Sequence, residues 1–392
     1  LSNCFSALQV FNVRPKYVYL SFLPLSHTLE RTVGYYLPMM GGATVAHARG
    51  IPELAKDLQE IKPHGLISVP RIYERVYAKI KENLSTRPKW VRRMFHLAVD
   101  VGWQRFEYLQ GRAKRPLLLF LWPLLKKLVA DRITQRLGGN LLIAVSGGAA
   151  LSPEISKVFV GLGVPIFQGY GLTESSPIIS TNRLEENIPD SIGKPLPGIE
   201  VRIGDNDELF ARGENIMLGY WKNQEATDAT IDKEGWLATG DKARIENDFI
   251  YITGRIKDII VLANGEKVSP VDMELAIASN PLFDQVMIIG ESRPYLVALS
   301  VLNPHRWKKI AEDKHVADKD ANDSESEKII LEQISKSLHD FPGYAQIYHH
   351  RCDDEAWTVE NGLLTPTLKM KRKEILLRYK SEIEQMYEGH TV

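Results

Sequence analysis

Only two of the 392 residues are cysteine, Cys4 and Cys352. That is too few for a disulfide framework or a zinc site, and it fits a reducing, cytosolic setting. Neither sign of charge is in excess, with 49 Lys and Arg against 49 Asp and Glu. A nucleic-acid partner, whose phosphates call for a basic surface, therefore gains no support. No apolar run is long enough to span a bilayer. The first residue is Leu1 rather than Met, inside a helix-like stretch, and no charged segment opens a signal peptide. A piece of a longer protein is expected. What is present is an ordinary soluble mixture, 44% hydrophobic and 25% charged, too long for one core, so two or more domains are expected.

The stretch Gln168-Gly169-Tyr170-Gly171-Leu172-Thr173-Glu174 organises the chain. It follows the apolar run Val164-Pro165-Ile166-Phe167, which reads as a buried strand. Two glycines within three residues allow a sharp turn and close approach of a ligand. An aromatic, a hydroxyl and a carboxylate then stand ready to stack a base, bond a phosphate and hold a magnesium ion. Taken alone, the segment is equally an ordinary strand-to-turn connection.

Upstream, strands at 17–23, 44–46, 65–69 and 141–145 alternate with helices at 28–40, 51–61 and 71–84, which predicts parallel βαβ layers. His27 stands at a strand's C-terminal end, where such sheets bind ligands, although a helix-capping or core histidine reads equally well. Ser146-Gly147-Gly148-Ala149-Ala150 ends another strand with small residues that leave room for a ligand. Residues 88–137 form a helical insertion whose centre, 116–125, is apolar and flanked by Arg112, Lys114, Arg115, Lys126 and Lys127. It reads as a buried helical hairpin or as an interfacial membrane helix, with Pro123 kinking it. From residue 190 short strands at 199–203, 207–210 and 249–252 make a β-rich subdomain. It contains Asp241 after a glycine turn, where a carboxylate can cap the turn or take two ribose hydroxyls. After Gly254-Arg255-Ile256-Lys257-Asp258, helices at 270–279, 304–313 and 325–339 and strands at 285–290 and 295–301 make an α+β segment. The polar run 318–327 is expected to be a solvated loop. The basic run 363–373 enters the last helix.

FLPLSH (22–27), SGGAAL (146–151), GYGLTE (169–174), GWLATGD (235–241) with GRIKD (254–258), and LTPTLK (364–369) occur in one order. Together they resemble the adenylate-forming superfamily, from Leu20 to about Arg372. SVPRIYERVYAKI, GENIMLGYW and the helical insertion are most similar to its long-chain fatty acyl-CoA synthetase branch.

The resemblance implies an α/β fold: a parallel βαβ-layered N-terminal domain over 1–189, a β-rich subdomain over 190–253, a hinge at 254–258 and a mobile α+β lid over 259–392. It implies fatty acid, ATP and CoA as substrates, Mg2+ as the metal, and ligation through acyl-AMP. By the same resemblance, Tyr170 stacks on adenine, Thr173 binds the α-phosphate and Glu174 the metal. Asp241 and Arg255 hold the ribose, Gly148 and Ala149 line the adenine and acyl pocket, and Gln168, Gly169 and Gly171 complete the nucleotide site. Lys369 is the catalytic lysine, with His27, Thr173 and Glu174 beside it in the catalytic set; Lys257 is the hinge and Gly265 borders the pantetheine tunnel. Two departures stand out. The family's phosphate loop would precede Leu1, and Leu368-Lys369 replaces the Gly-Lys pair of short-chain members. Alternative readings are a fatty acyl-AMP ligase loading a carrier protein and a non-catalytic binding fragment. A cytoplasmic location, with peripheral membrane contact through 112–127, and a homodimer complete the expectations.

Overall fold

The computed structural model describes residues 1–256, 258–316, 320–353, 355–366 and 368–388, and the chain divides into two compact units, 1–253 and 254–392. The first is built on a seven-stranded sheet: β1 (Val18–Ser21), β2 (Thr44–His47), β3 (Gly65–Ser68), β4 (Ile143–Ser146), β5 (Ile166–Gly171), β6 (Ile178–Thr181) and β7 (Lys194–Pro195). Its order is β2-β1-β3-β4-β5-β6-β7. The first five run parallel and the last two antiparallel, as the βαβ alternation predicts.

Alternate residues of these strands face opposite sides. Leu20, Leu66, Ala144 and Ile166 pack with the helices Pro70–Ser85, Lys89–Leu109 and Pro153–Gly161. Tyr19, Ile67, Val145 and Phe167 pack on the other side with Ala7, Val33 and Leu37. The helical stretch after His27 begins as a wide π-type turn, Glu30–Tyr36, and tightens over Leu37–Met40. Pro38 has no N–H to offer residue 34, which removes one rung of the ordinary ladder there.

The helical insertion divides its apolar side chains between core and surface. Trp122 and Leu125 are buried in the core, Trp122 lying against the space left by Gly102. Leu117, Phe120 and Leu124 are exposed, Leu117 at 93%. Pro123 does not kink a helix; it sits in the first turn of Trp122–Leu125, where a missing N–H costs nothing. No helix among the described residues is long and apolar enough to cross a membrane.

The rest of the first unit carries a four-stranded sheet of β8 (Ile199–Ile203), β9 (Glu208–Gly213), β10 (Leu237–Glu246) and β11 (Phe249–Arg255), ordered β11-β10-β9-β8. β10 was not read from the sequence as a strand; its side chains alternate between buried and half-buried from Leu237 to Ala243, and its pairing with β9 shifts register between Ala238 and Lys242.

The second unit holds a short hairpin, β12 (Ile260–Val261) with β13 (Lys267–Val268), and a sheet of β14 (Phe283–Ile289), β15 (Leu296–Leu302) and β16 (Ile347–Asp353). One face of that sheet packs on the helices Pro270–Ala278 and Ser324–Ser337; the other buries Trp357, Leu363, Leu364 and Ile375. The polar run after Asp318 is not all loop. Asp323 accepts the Glu325 N–H at 3.0 Å and starts a helix at Ser324.

Candidate active site

β4 and β5 lie side by side, so the loops leaving their C-terminal ends meet. A Cβ at Gly147 would stand 3.2 Å from Leu29 Cδ2 and 3.7 Å from Gly169 O, so segments 27–30, 147–150 and 168–171 converge on one sheet edge. Gly148 takes φ 84° and, with Ala149, is exposed at that edge. Gly171 is required by proximity: a Cβ there would fall 1.8 Å from Pro177 O. The turn that follows places Thr173 and Glu174 in a short 3-10 segment, with Thr173 exposed. Ser175 and Asn215 secure it, Ser175 Oγ accepting from Leu172 N at 2.9 Å and Asn215 Nδ2 donating to Ser175 O at 3.0 Å.

Tyr170 and Asp241, 71 residues apart, are brought together. The phenol donates to Asp241 Oδ2 at 2.5 Å, and Asp241 is buried. The glycine turn before Asp241 is real, with Gly240 at φ 72° and its N–H given to Glu208 Oε1 at 2.9 Å. Glu174 accepts from Tyr220 Oη at 2.9 Å, a partner within the GENIMLGYW segment that no spacing rule linked to it. Burial first, and then Glu174, raise the Tyr220 phenol, so it stays a donor.

The Gln168 side chain accepts Leu151 N–H at 3.1 Å and donates to Pro189 O, so its amide ties two loops together. His27 Nδ1 accepts Leu29 N–H at 3.3 Å, a capping contact at the start of the helical turn. One turn on, Glu30 is fully buried and neither carboxylate oxygen has a hydrogen-bond partner. Burial pushes its carboxyl up to about 7, opposed by the Ser21 hydroxyl and the Phe22 main chain, which face it without good geometry. Sequence reasoning missed Glu30, since nothing in its spacing sets it apart from a surface carboxylate.

In the second unit Gly265 turns the β12–β13 hairpin at φ 85°, with open space where a Cβ would be. Arg255 is exposed at the end of β11. Lys257 lies outside the described residues. Lys369 is exposed on a tight hairpin: Thr365 N–H donates to Lys369 O at 2.8 Å and Lys369 N–H to Thr365 Oγ1 at 3.0 Å. Leu368 takes φ 62°. In that left-handed position Leu368 offsets the strain by packing on the unit's core. Glu274, buried in the helix Pro270–Ala278, pairs with Arg372 just beyond the hairpin. Burial pushes its carboxyl up to about 7, with Asp258 adding to the rise and Arg372 and Ile288 N–H opposing it.

A family model described as AMP-binding enzyme matches residues 1–221, and one described as AMP-binding enzyme C-terminal domain matches 257–391. The chain belongs to the AMP-binding enzyme family. It is 32% identical to the long-chain-fatty-acid–CoA ligase FadD15 of Mycobacterium bovis over 94% of this chain and 62% of that protein. It is 28% identical to the long-chain-fatty-acid–[acyl-carrier-protein] ligase AEE15 of Arabidopsis thaliana, over 94% of this chain and 56% of that one. The chain thus spans about three fifths of the length of these curated relatives. The adenylation domain of a carboxylic acid reductase from Segniliparus rugosus, solved with AMP, shares the fold with a TM-score of 0.68 at 23% identity, covering 95% of this chain and 54% of that one. As an AMP-binding enzyme the chain has a mixed α/β fold with a parallel sheet and a smaller C-terminal domain, as the resemblance implied.

Proposed function

We propose that the protein is a long-chain fatty acid–CoA ligase working through an acyl-adenylate. A carboxylate oxygen of the fatty acid attacks the α-phosphorus of ATP; the P–O bond to the β-phosphate breaks and pyrophosphate leaves. The CoA thiol then attacks the acyl carbon, loses its proton, and AMP departs with the C–O electron pair. The observation that carries this reading is the convergence of Tyr170, Thr173, Glu174 and Asp241 at one sheet edge in a chain similar to long-chain ligases.

On this reading adenine stacks on Tyr170, and the ribose takes the Asp241 carboxylate that the Tyr170 phenol now occupies. Thr173 binds the α-phosphate, where charge accumulates, and Lys369 is the catalytic cation. No group of three or more His, Cys, Asp or Glu side chains among the described residues could cage a metal. Mg2+ takes one or two carboxylates and completes its shell with substrate phosphates and water. Glu174 would supply the carboxylate, and the ion would draw charge off the phosphates. Exposed Leu117, Phe120 and Leu124 beside Arg112, Lys114, Arg115, Lys126 and Lys127 favour peripheral contact with an anionic bilayer.

The test is formation of acyl-AMP from ATP and a long-chain fatty acid by the full-length protein, followed by transfer. The expected outcome is rapid thioester formation with CoA, and a loss of about 10²–10³ in adenylation rate in Lys369→Ala. Similarity to AEE15 supports a second reading, in which the acyl group goes to a carrier protein. Transfer to a carrier-bound thiol with none to free CoA would select it.

A further inference from the structure

We infer that the Glu274–Arg372 pair is a positioning device that fixes Lys369 for acyl-adenylate formation; this rests on the catalytic reading of Lys369 given above. Arg372 is the third residue after Lys369 and the first of the helix Arg372–Arg378. Its guanidinium grips Glu274 through Nη1–Oε1 at 2.7 Å, Nη1–Oε2 at 3.0 Å and Nη2–Oε1 at 2.8 Å. The same pair takes up both main-chain groups of Ile288: Glu274 Oε1 accepts its N–H at 2.8 Å, and Arg372 Nη2 donates to its carbonyl at 3.1 Å.

Ile288 lies in β14, which is an edge strand paired only with β15 among the described residues. The ion pair therefore stands where a further strand would be, and satisfies polar groups that an edge leaves open. A forked guanidinium does this with fixed direction, which a lysine or an apolar side chain cannot.

The hairpin needs such an anchor. Leu368 is held in a left-handed conformation, which an unrestrained leucine leaves readily. The hairpin closes through Lys371 N–H to Leu363 O at 2.9 Å, one residue before Arg372, so the exit of the loop and the base of the hairpin are fixed together. At the entrance, Gln285 exchanges two hydrogen bonds with the Trp357 main chain, at 2.7 and 2.9 Å. Lys369 is thus carried on a loop pinned at both ends to β14, and the exit pin lies nearest to it.

Breaking one partner leaves a buried charge, so the decisive variant replaces both: Glu274→Met with Arg372→Met, which removes the tie without stranding a charge. Arg372→Lys is the companion, keeping the charge and losing the fork. The double variant leaves the Ile288 N–H and C=O without these partners, so it is expected to fold with a melting temperature somewhat below that of the parent. Amide exchange at Thr365, Leu368, Lys369 and Lys371 should speed up about tenfold or more, with β15 unchanged. In the full-length protein, acyl-AMP formation should fall about 10- to 100-fold with KM for ATP little changed. Thioester formation from supplied acyl-AMP should hold. In a Lys369→Ala background the same two substitutions should cost nothing further. Unchanged hairpin exchange and adenylation in the double variant, with Lys369→Ala impaired, overturns the positioning role. Full adenylation by Lys369→Ala instead removes the catalytic reading of Lys369 and the proposal with it.

Discussion

Glu30 is a carboxyl that the fold holds against its chemistry. Its pKa stands at about 7 in the folded chain, against an ordinary 4.5, because burial disfavours the charged form. The folded state then binds the proton more tightly than the unfolded state. Its contribution to stability is fully present below pH 4.5 and is lost as pH rises through 7. Glu30→Gln should remove this dependence, improving stability at pH 8 relative to pH 5 by on the order of 3 kcal/mol against the parent. Urea unfolding of the two proteins at both pH values measures the gap; parallel pH profiles would mean that the carboxyl is not shifted. At Asp241 the expectation concerns binding. Asp241→Ala removes a charged acceptor worth about 1.5–3 kcal/mol per bond, so AMP affinity should drop about 10- to 100-fold. Tyr170→Phe deletes the phenol that competes for that carboxylate and keeps the ring, so AMP should bind at least as tightly. Calorimetric titration with AMP separates the two, and equal loss in both variants would contradict the competition.

Among the elements, the turn after β5 is the most constrained. Gly171→Ala drives a methyl to within 1.8 Å of Pro177 O, so the Thr173–Glu174 turn must shift. Overpacking of this kind costs about 1–3 kcal/mol, and AMP binding should weaken with it. A denaturation midpoint unchanged by the substitution would show that the turn relaxes freely. The strands of the parallel sheet were legible because each is a short apolar run, and their parallel direction followed from their alternation with helices; β10 and β16 were not read. The insertion was not legible. Leu117, Phe120, Trp122 and Leu125 look alike in sequence, but Gly102 opens space under Trp122 alone, and the shift from 3-10 to α turn decides which side chains face inward.

That sorting changes what the whole molecule presents to a membrane. Leu117, Phe120 and Leu124 replaced together by Ser should reduce co-sedimentation with anionic liposomes and leave the melting temperature unchanged, because all three are exposed. Trp122→Ser should instead destabilise by about 3–5 kcal/mol, as loss of a large core side chain does. Undiminished sedimentation of the triple variant would remove the membrane reading. The two units have separate cores, so each variant reports on the unit that carries it.

The sequence by itself determined the alternation of strands and helices in the parallel sheet and the change to short strands after residue 190, which follow from periodicity and turn residues, local properties of the chain. Motif order supplied the resemblance that names Tyr170, Thr173, Glu174, Asp241 and Lys369 as site residues. Only the tertiary structure decided that Tyr170 reaches Asp241, that Tyr220 meets Glu174, that Gln168 is committed to two loops, and that Arg372 crosses to Glu274. Those partners lie between 17 and 98 residues apart, and their pairing depends on which loops the sheets bring to a common edge. Periodicity within one element carries no information about that.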